Sequence, residues 1–162
     1  RQMCIRDRFI AAGSTCAEMT KVLPDIPLQV FTDGLVTALE LSKYSNIEAT
    51  MIGGQINTDS VRSSGFKVFE ELNKLHFDFS FLGTDAYRPD FGFVCCSAHA
   101  AALFQTLIER SDKTVVLMDS SKVDAIRAAR SIPTNQVDIV VSDGGLSNAT
   151  AKALSQAGVM LL

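Results

Sequence analysis

The residues with the most chemical content in this chain sit at a handful of short turns. The first is Ala12-Gly13-Ser14-Thr15, which follows an apolar run and precedes a stretch that continues as helix. Gly13 permits a tight turn, and Ser14 and Thr15 are natural N-cap residues. Free backbone N–H groups at such a helix start favour anions. Residues of similar type follow the other apolar runs: Thr32-Asp33-Gly34, Gly53-Gly54, Gly83-Thr84-Asp85, Asp119-Ser120-Ser121-Lys122 and Ser142-Asp143-Gly144-Gly145. Hydroxyls and N–H groups suit a phosphate, carboxylates such as Asp33 and Asp85 suit sugar hydroxyls, and Lys122 supplies a point charge. Ordinary βα turns and helix caps use the same residue types. The expectation is a small, polyhydroxylated anionic ligand.

For these turns to act together, strands and helices must alternate so that one rim collects them. The pattern predicts strands over 9–12, 28–32, 48–52, 77–82, 114–118, 138–141 and 159–162. Helices are expected over 15–23, 35–44, 66–75, 97–110 and 149–157, with Gly158 just past the last. Leu35, Leu39 and Tyr44 are placed near one helix face, and the phenylalanines at 66, 69, 77, 79 and 81 in the core. Residues 55–64 read as a hairpin-like excursion whose Arg62, with Lys67 just beyond, reaches the pocket or a neighbouring subunit, and the stretch around Pro89 and Gly92 reads as a loop. Alternation of this kind implies right-handed βαβ units and a mostly parallel sheet with helices on both faces. Ligands of such sheets gather at the carboxyl ends of the strands.

Bulk properties narrow the function. A chain of 162 residues with 47% hydrophobic content is expected to form one globular domain. The formal net charge of −3 argues against nucleic-acid binding by this segment. No apolar stretch approaches the length that spans a bilayer. Cys4, Cys16, Cys95 and Cys96 lack CxxC spacing and are expected to be reduced core residues, as in a cytoplasmic protein. Neither metal-ligand clusters nor a GxGxxG turn supports metal or hydride chemistry, so no cofactor is expected. Residues 1–8 are charged and unpatterned, and are read as a fragment boundary or foreign scar outside a domain over 9–162.

Taken in order, the motifs resemble the C-terminal effector domain of DeoR-type bacterial transcription regulators. The resemblance rests on Ala12-Gly13-Ser14-Thr15, Val30-Phe31-Thr32-Asp33, Met51-Ile52-Gly53-Gly54, Gly65, Asp78-Phe79-Ser80-Phe81-Leu82-Gly83, Gly92 and Asp119-Ser120-Ser121-Lys122. It implies a fold similar to ribose-5-phosphate isomerase and the CoA-transferases. It also implies a homo-oligomeric sensor of a phosphorylated sugar or related metabolite. Operator DNA would be met only through a winged helix-turn-helix that this chain lacks. The implied effector residues are Gly13, Ser14, Thr15, Thr32, Asp33, Gly53, Gly54, Gly83, Thr84, Asp85 and Lys122. On the helix after Gly92 the family commonly carries an acidic residue and then a lysine, where this chain has His99 and Phe104. That departure weakens the alternative, a phosphosugar isomerase-like enzyme, because the related isomerases need a carboxylate there to shuttle the substrate proton, and His99 would need the right tautomer and geometry to replace it.

Overall fold

The chain enters at the middle of a parallel sheet and builds outward in two directions. The computed structural model describes residues 6–125 and 130–162. In chain order the elements are β1 (Asp7–Ile10), α1 (Ser14–Thr20), β2 (Leu28–Thr32), α2 (Leu35–Leu41), β3 (Ile47–Met51), β4 (Gln55–Asn57) and β5 (Arg62–Ser64). There follow α3 (Phe66–Leu72), β6 (Phe77–Gly83), β7 (Ala86–Arg88), β8 (Gly92–Cys95), α4 (Ala98–Glu109) and β9 (Ser111–Leu117). Last come β10 (Arg130–Ile132), β11 (Ile139–Val141), α5 (Asn148–Gln156) and β12 (Met160–Leu161). The main sheet has seven strands in the order β12-β11-β9-β6-β1-β2-β3, all parallel. Strand β1 begins at Asp7, so Asp7 and Arg8 belong to the sheet, with Arg8 aligned to Val30 and Phe79.

Alternation along the strands sorts the side chains onto two faces. Phe9 and Ala11 join one apolar cluster with Val68, Leu72, Leu107 and Leu154, which brings α3, α4 and α5 to that face. Ile10 joins Cys16, Val30 and Leu41 on the other face, beneath α1 and α2. On β9 the same split separates Val116 and Met118 from Val115 and Leu117. Helices therefore cover both faces, as the strand–helix alternation implies.

Several local expectations change in the structure. Helix α2 ends at Leu41 and buries Thr37 and Leu41, while Leu39 is 65% exposed. In α3 the buried pair is Val68 and Leu72, one helical turn apart, and Phe66 lies on the opposite side, 76% exposed. Both errors come from treating the largest apolar residues as the buried stripe. The stretch around Pro89 is a hairpin, not a loop: β7 and β8 pair antiparallel, and β10 adds to β8. Gly92 at φ +102° is required there, because a Cβ would stand 2.2 Å from the Ile132 carbonyl oxygen. Gly158, at φ +83°, closes α5 as expected. Its N–H bonds the Ser155 carbonyl and the Val159 N–H bonds that of Leu154, the paired closure of a Schellman turn.

Candidate ligand-binding site

Between β1 and β6 the winding of the sheet reverses. The chain leaves β1 for α1 on one face, and leaves β6 for the β7–β8 hairpin and α4 on the other. Loops that part company at adjacent strand ends leave a crevice, the place where open α/β sheets bind ligands. A cavity of about 470 Å³ opens there. That volume falls within the few hundred to about 1,000 Å³ usual for small-molecule sites.

Its walls come from five sources. Ala11, Ala12, Gly13, Ser14 and Thr15 follow β1, and Gly83, Thr84 and Asp85 end and follow β6. Asn57, Ser60 and Arg62 come from the β4–β5 hairpin, and Cys95, Cys96, Ser97, His99 and Phe104 from the end of β8 and from α4. Lys122 closes one side from the short turn after β9. Gly13, not Ser14 or Thr15, is the N-cap of α1, and no side chain caps that helix. Its φ of 146° and ψ of 152° lie in a region essentially reserved for glycine. The first-turn N–H groups of α1 thus have no side-chain partner on the cavity wall.

Other expected residues lie away from the cavity lining. Thr32 is buried and its hydroxyl accepts from the Gly34 N–H at 3.0 Å. Asp33 is wholly enclosed; one carboxylate oxygen accepts from the Ala12 N–H at 2.8 Å and the other faces Arg62 Nε at 3.4 Å. Burial pushes the Asp33 carboxyl up, against the pull of Arg62 and the Ala12 N–H. Gly53 and Gly54 do not line the cavity, and at Gly54 a Cβ would meet the Ser64 carbonyl at 2.6 Å. Gly54 is there for close approach of the hairpin. After β11, Asp143 accepts from the N–H groups of Ser120 (3.2 Å) and Gly145 (3.0 Å), joining two loops outside the cavity.

Within the cavity wall, part of the polar inventory is also internally engaged. The Thr84 hydroxyl donates to the carbonyls of Ala86 at 2.8 Å and Val94 at 3.1 Å. One Asp85 oxygen accepts from the Cys96 N–H at 2.7 Å, tying the β6 loop to the entry of α4. Asp119 caps the turn that carries Lys122, accepting from the Ser121 N–H at 2.9 Å and from its hydroxyl. The Ser121 bonds hold the Asp119 carboxyl below its ordinary range. Cys16 and Cys95 are buried thiols, each pushed up to about 12 chiefly by desolvation. Cys96 is exposed, unlike the core placement expected of it, and Cys4 lies outside the described residues. Phe104 is buried beside Phe93, with ring centroids 6.3 Å apart.

Arg62 lines the cavity, the first of the two placements expected of it, whereas Asn57, Ser60 and Ser97 were not foreseen. Arg62 donates through an Nη atom to the Ala12 carbonyl at 2.8 Å while its Nε faces Asp33, so a mostly buried guanidinium is clamped at the mouth of β1. The one signal in the sequence was a lone cation at the end of a polar hairpin. Lys67, its neighbour beyond the hairpin, is exposed and does not line the cavity. Among the described residues, no group of three or more His, Cys, Asp or Glu side chains could hold a metal ion. No helix among them is long and apolar enough to cross a membrane.

Comparison with known proteins agrees with this layout. A family model described as the DeoR C terminal sensor domain matches residues 3–144. An uncharacterized HTH-type transcriptional regulator of Bacillus subtilis is 34% identical over 91% of this chain and 58% of its own length. The HTH-type transcriptional regulator GolR of Listeria innocua is 28% identical over 93% of the chain and 60% of its own length. A putative aga operon transcriptional repressor of Escherichia coli O157:H7 is 26% identical over 95% and 58% respectively. The chain thus spans about three-fifths of the length of these relatives. Among solved structures, eIF2B beta from Chaetomium thermophilum superposes with a TM-score of 0.54 at 10% identity, covering 84% of this chain and 43% of that one. At that identity the likeness is one of fold alone.

Proposed function

The chain belongs to the DeoR C-terminal sensor family, and from that premise we propose that the crevice between β1 and β6 binds a phosphorylated sugar or a similar small anionic effector. One observation carries the reading: the cavity forms at the reversal point of the sheet and is walled by a side-chain-uncapped helix start, Arg62 and Lys122. The anionic group sits against Gly13, Ser14, Thr15 and Lys122, beside the Arg62 guanidinium that Asp33 holds in place. Gly83 allows close approach of the β6 backbone, and the remaining Asp85 oxygen accepts from sugar hydroxyls. Charged hydrogen bonds contribute roughly 1.5–3 kcal/mol each, so a few of them reach micromolar affinity, near −8 kcal/mol.

The relatives named HTH-type regulators carry this reading to the whole protein. There the effector domain biases operator binding by a DNA-binding segment outside this chain, within a cytoplasmic homo-oligomer. A ligand can shift that balance only by its difference in affinity for the two states. A regulator needs binding and no turnover.

The test is a thermal-shift screen of sugar phosphates on the wild-type chain and on Gly13→Val. A ligand at about a hundred times its Kd stabilises by roughly 2.7 kcal/mol. Gly13→Val should fold and lose that shift, since valine cannot hold the Gly13 backbone conformation. Undiminished binding by Gly13→Val, or no shift with any sugar phosphate, would sink the proposal.

A further inference from the structure

Resting on the effector reading above, we infer that His99 is the specificity-determining residue of this cavity. It reads a neutral acceptor oxygen on the sugar body, while the cations hold the anionic group. His99 stands in the first turn of α4 on the cavity wall. Its ring packs edge-on against Phe69 of α3, with centroids 5.3 Å apart and planes at 66°, which fixes the imidazole plane. Its Nε2 is sealed from solvent and has no hydrogen-bond partner. With Nε2 sealed and the residue on the cavity wall, we assign Nδ1 as the nitrogen that meets a ligand.

The tautomer follows from that asymmetry, as it must where hydrogens are assigned from surroundings. A buried N–H without an acceptor is rarer than a buried lone pair without a donor. The proton therefore belongs on Nδ1, and His99 presents a neutral N–H donor to the cavity. Burial and the nearby Arg62 guanidinium both oppose a second proton, outweighing the attraction of Asp33. A ring held neutral between these groups is a poor phosphate clamp and a good partner for a carbonyl or hydroxyl oxygen. Sites that read such an oxygen discriminate strongly, because a ligand lacking it covers the donor and leaves it unpaired.

The experiment compares wild type, His99→Phe and His99→Gln by calorimetric titration with ribose 5-phosphate, glucose 6-phosphate, fructose 6-phosphate and inorganic phosphate. His99→Phe should weaken the best-binding sugar phosphate by about tenfold or more and leave inorganic phosphate unchanged. His99→Gln, which keeps a neutral donor, should recover most of that loss. A wild-type measurement needs no variant to fold: the imidazole ¹⁵N resonances should move when the sugar phosphate is added and stay put with inorganic phosphate. Equal losses for sugar phosphate and phosphate in His99→Phe, unchanged sugar-phosphate affinity, or silent imidazole resonances would each overturn the assignment. If wild type binds none of the sugar phosphates, the effector reading itself falls, and the role of His99 with it.

Discussion

The ends of β1 and β6 differ from the ends of β2, β3 and β11 in a way their residue types do not announce. All carry small, hydroxylic or acidic residues with glycine. At β1 and β6 these residues face a cavity, because the chain departs to opposite sides of the sheet. At β2, β3 and β11 the same residue types engage neighbouring backbone and loops instead. Asp33 anchors Ala12 and Arg62, Gly54 admits the hairpin backbone, and Asp143 ties the Ser120 loop to Gly145. Polar residues at a strand's carboxyl end thus line the cavity chiefly where neighbouring connections diverge; elsewhere they brace the rim. Asp33 belongs to both regions, since its carboxylate sits beneath the cavity and holds a residue that lines it.

The largest effect that would break this contrast is on stability. Asp33→Ala should destabilise the chain by about 3–5 kcal/mol, because it leaves a buried guanidinium and an N–H without their partner. Urea unfolding measures this, and a loss under about 1 kcal/mol would show that Asp33 does not brace the rim. Lys122→Ala should do the reverse. Stability should hold within about 0.5 kcal/mol, while titration calorimetry should show sugar-phosphate affinity weakened by about tenfold, in line with one lost charged hydrogen bond.

His99 gives a smaller effect with a definite sign. Its folded-state pKa is depressed below the usual histidine value near 6.5, so the unfolded chain takes up a proton first as pH falls. Stability should therefore decline as pH drops from about 6.5 through the folded value and then level off. Melting curves from pH 7.5 to 5 on wild type, with His99→Gln subtracted, isolate that decline; a flat difference would mean the ring is not shielded. The smallest effect belongs to the outer rim. Gly53→Ala meets nothing within 4 Å and should change neither stability by more than about 0.5 kcal/mol nor ligand affinity. A clear loss of binding there would extend the site to the end of β3.

Much of the architecture was legible because it rests on periodicity. Runs such as Val115-Val116-Leu117-Met118 and Ile139-Val140-Val141 are long enough and apolar enough to be central strands, and Gly158 marks a helix end by its conformational freedom. Short elements were not. Tyr87 and Phe93 belong to a small antiparallel sheet whose third strand, β10, arrives from more than thirty residues further on. Local pattern carries no trace of that pairing, and Pro89 with Gly92 reads equally as loop. Helix faces failed at Leu39 and Phe66 because burial follows geometry around the helix axis rather than side-chain size.

What the sequence by itself determined is the alternation of strand and helix, the family, and the kind of residue that ends each strand. These depend on local spacing and conformational preference, which a linear chain already contains. Only the tertiary structure decided which strand ends meet. The order β6-β1 at the centre of the sheet is a long-range choice; it opened a crevice there and folded Asp33 beneath it. It also brought Arg62, His99 and Lys122, far apart in the chain, to one cavity. Hydrophobic burial on two faces selected that order, and no single stretch of residues encodes it.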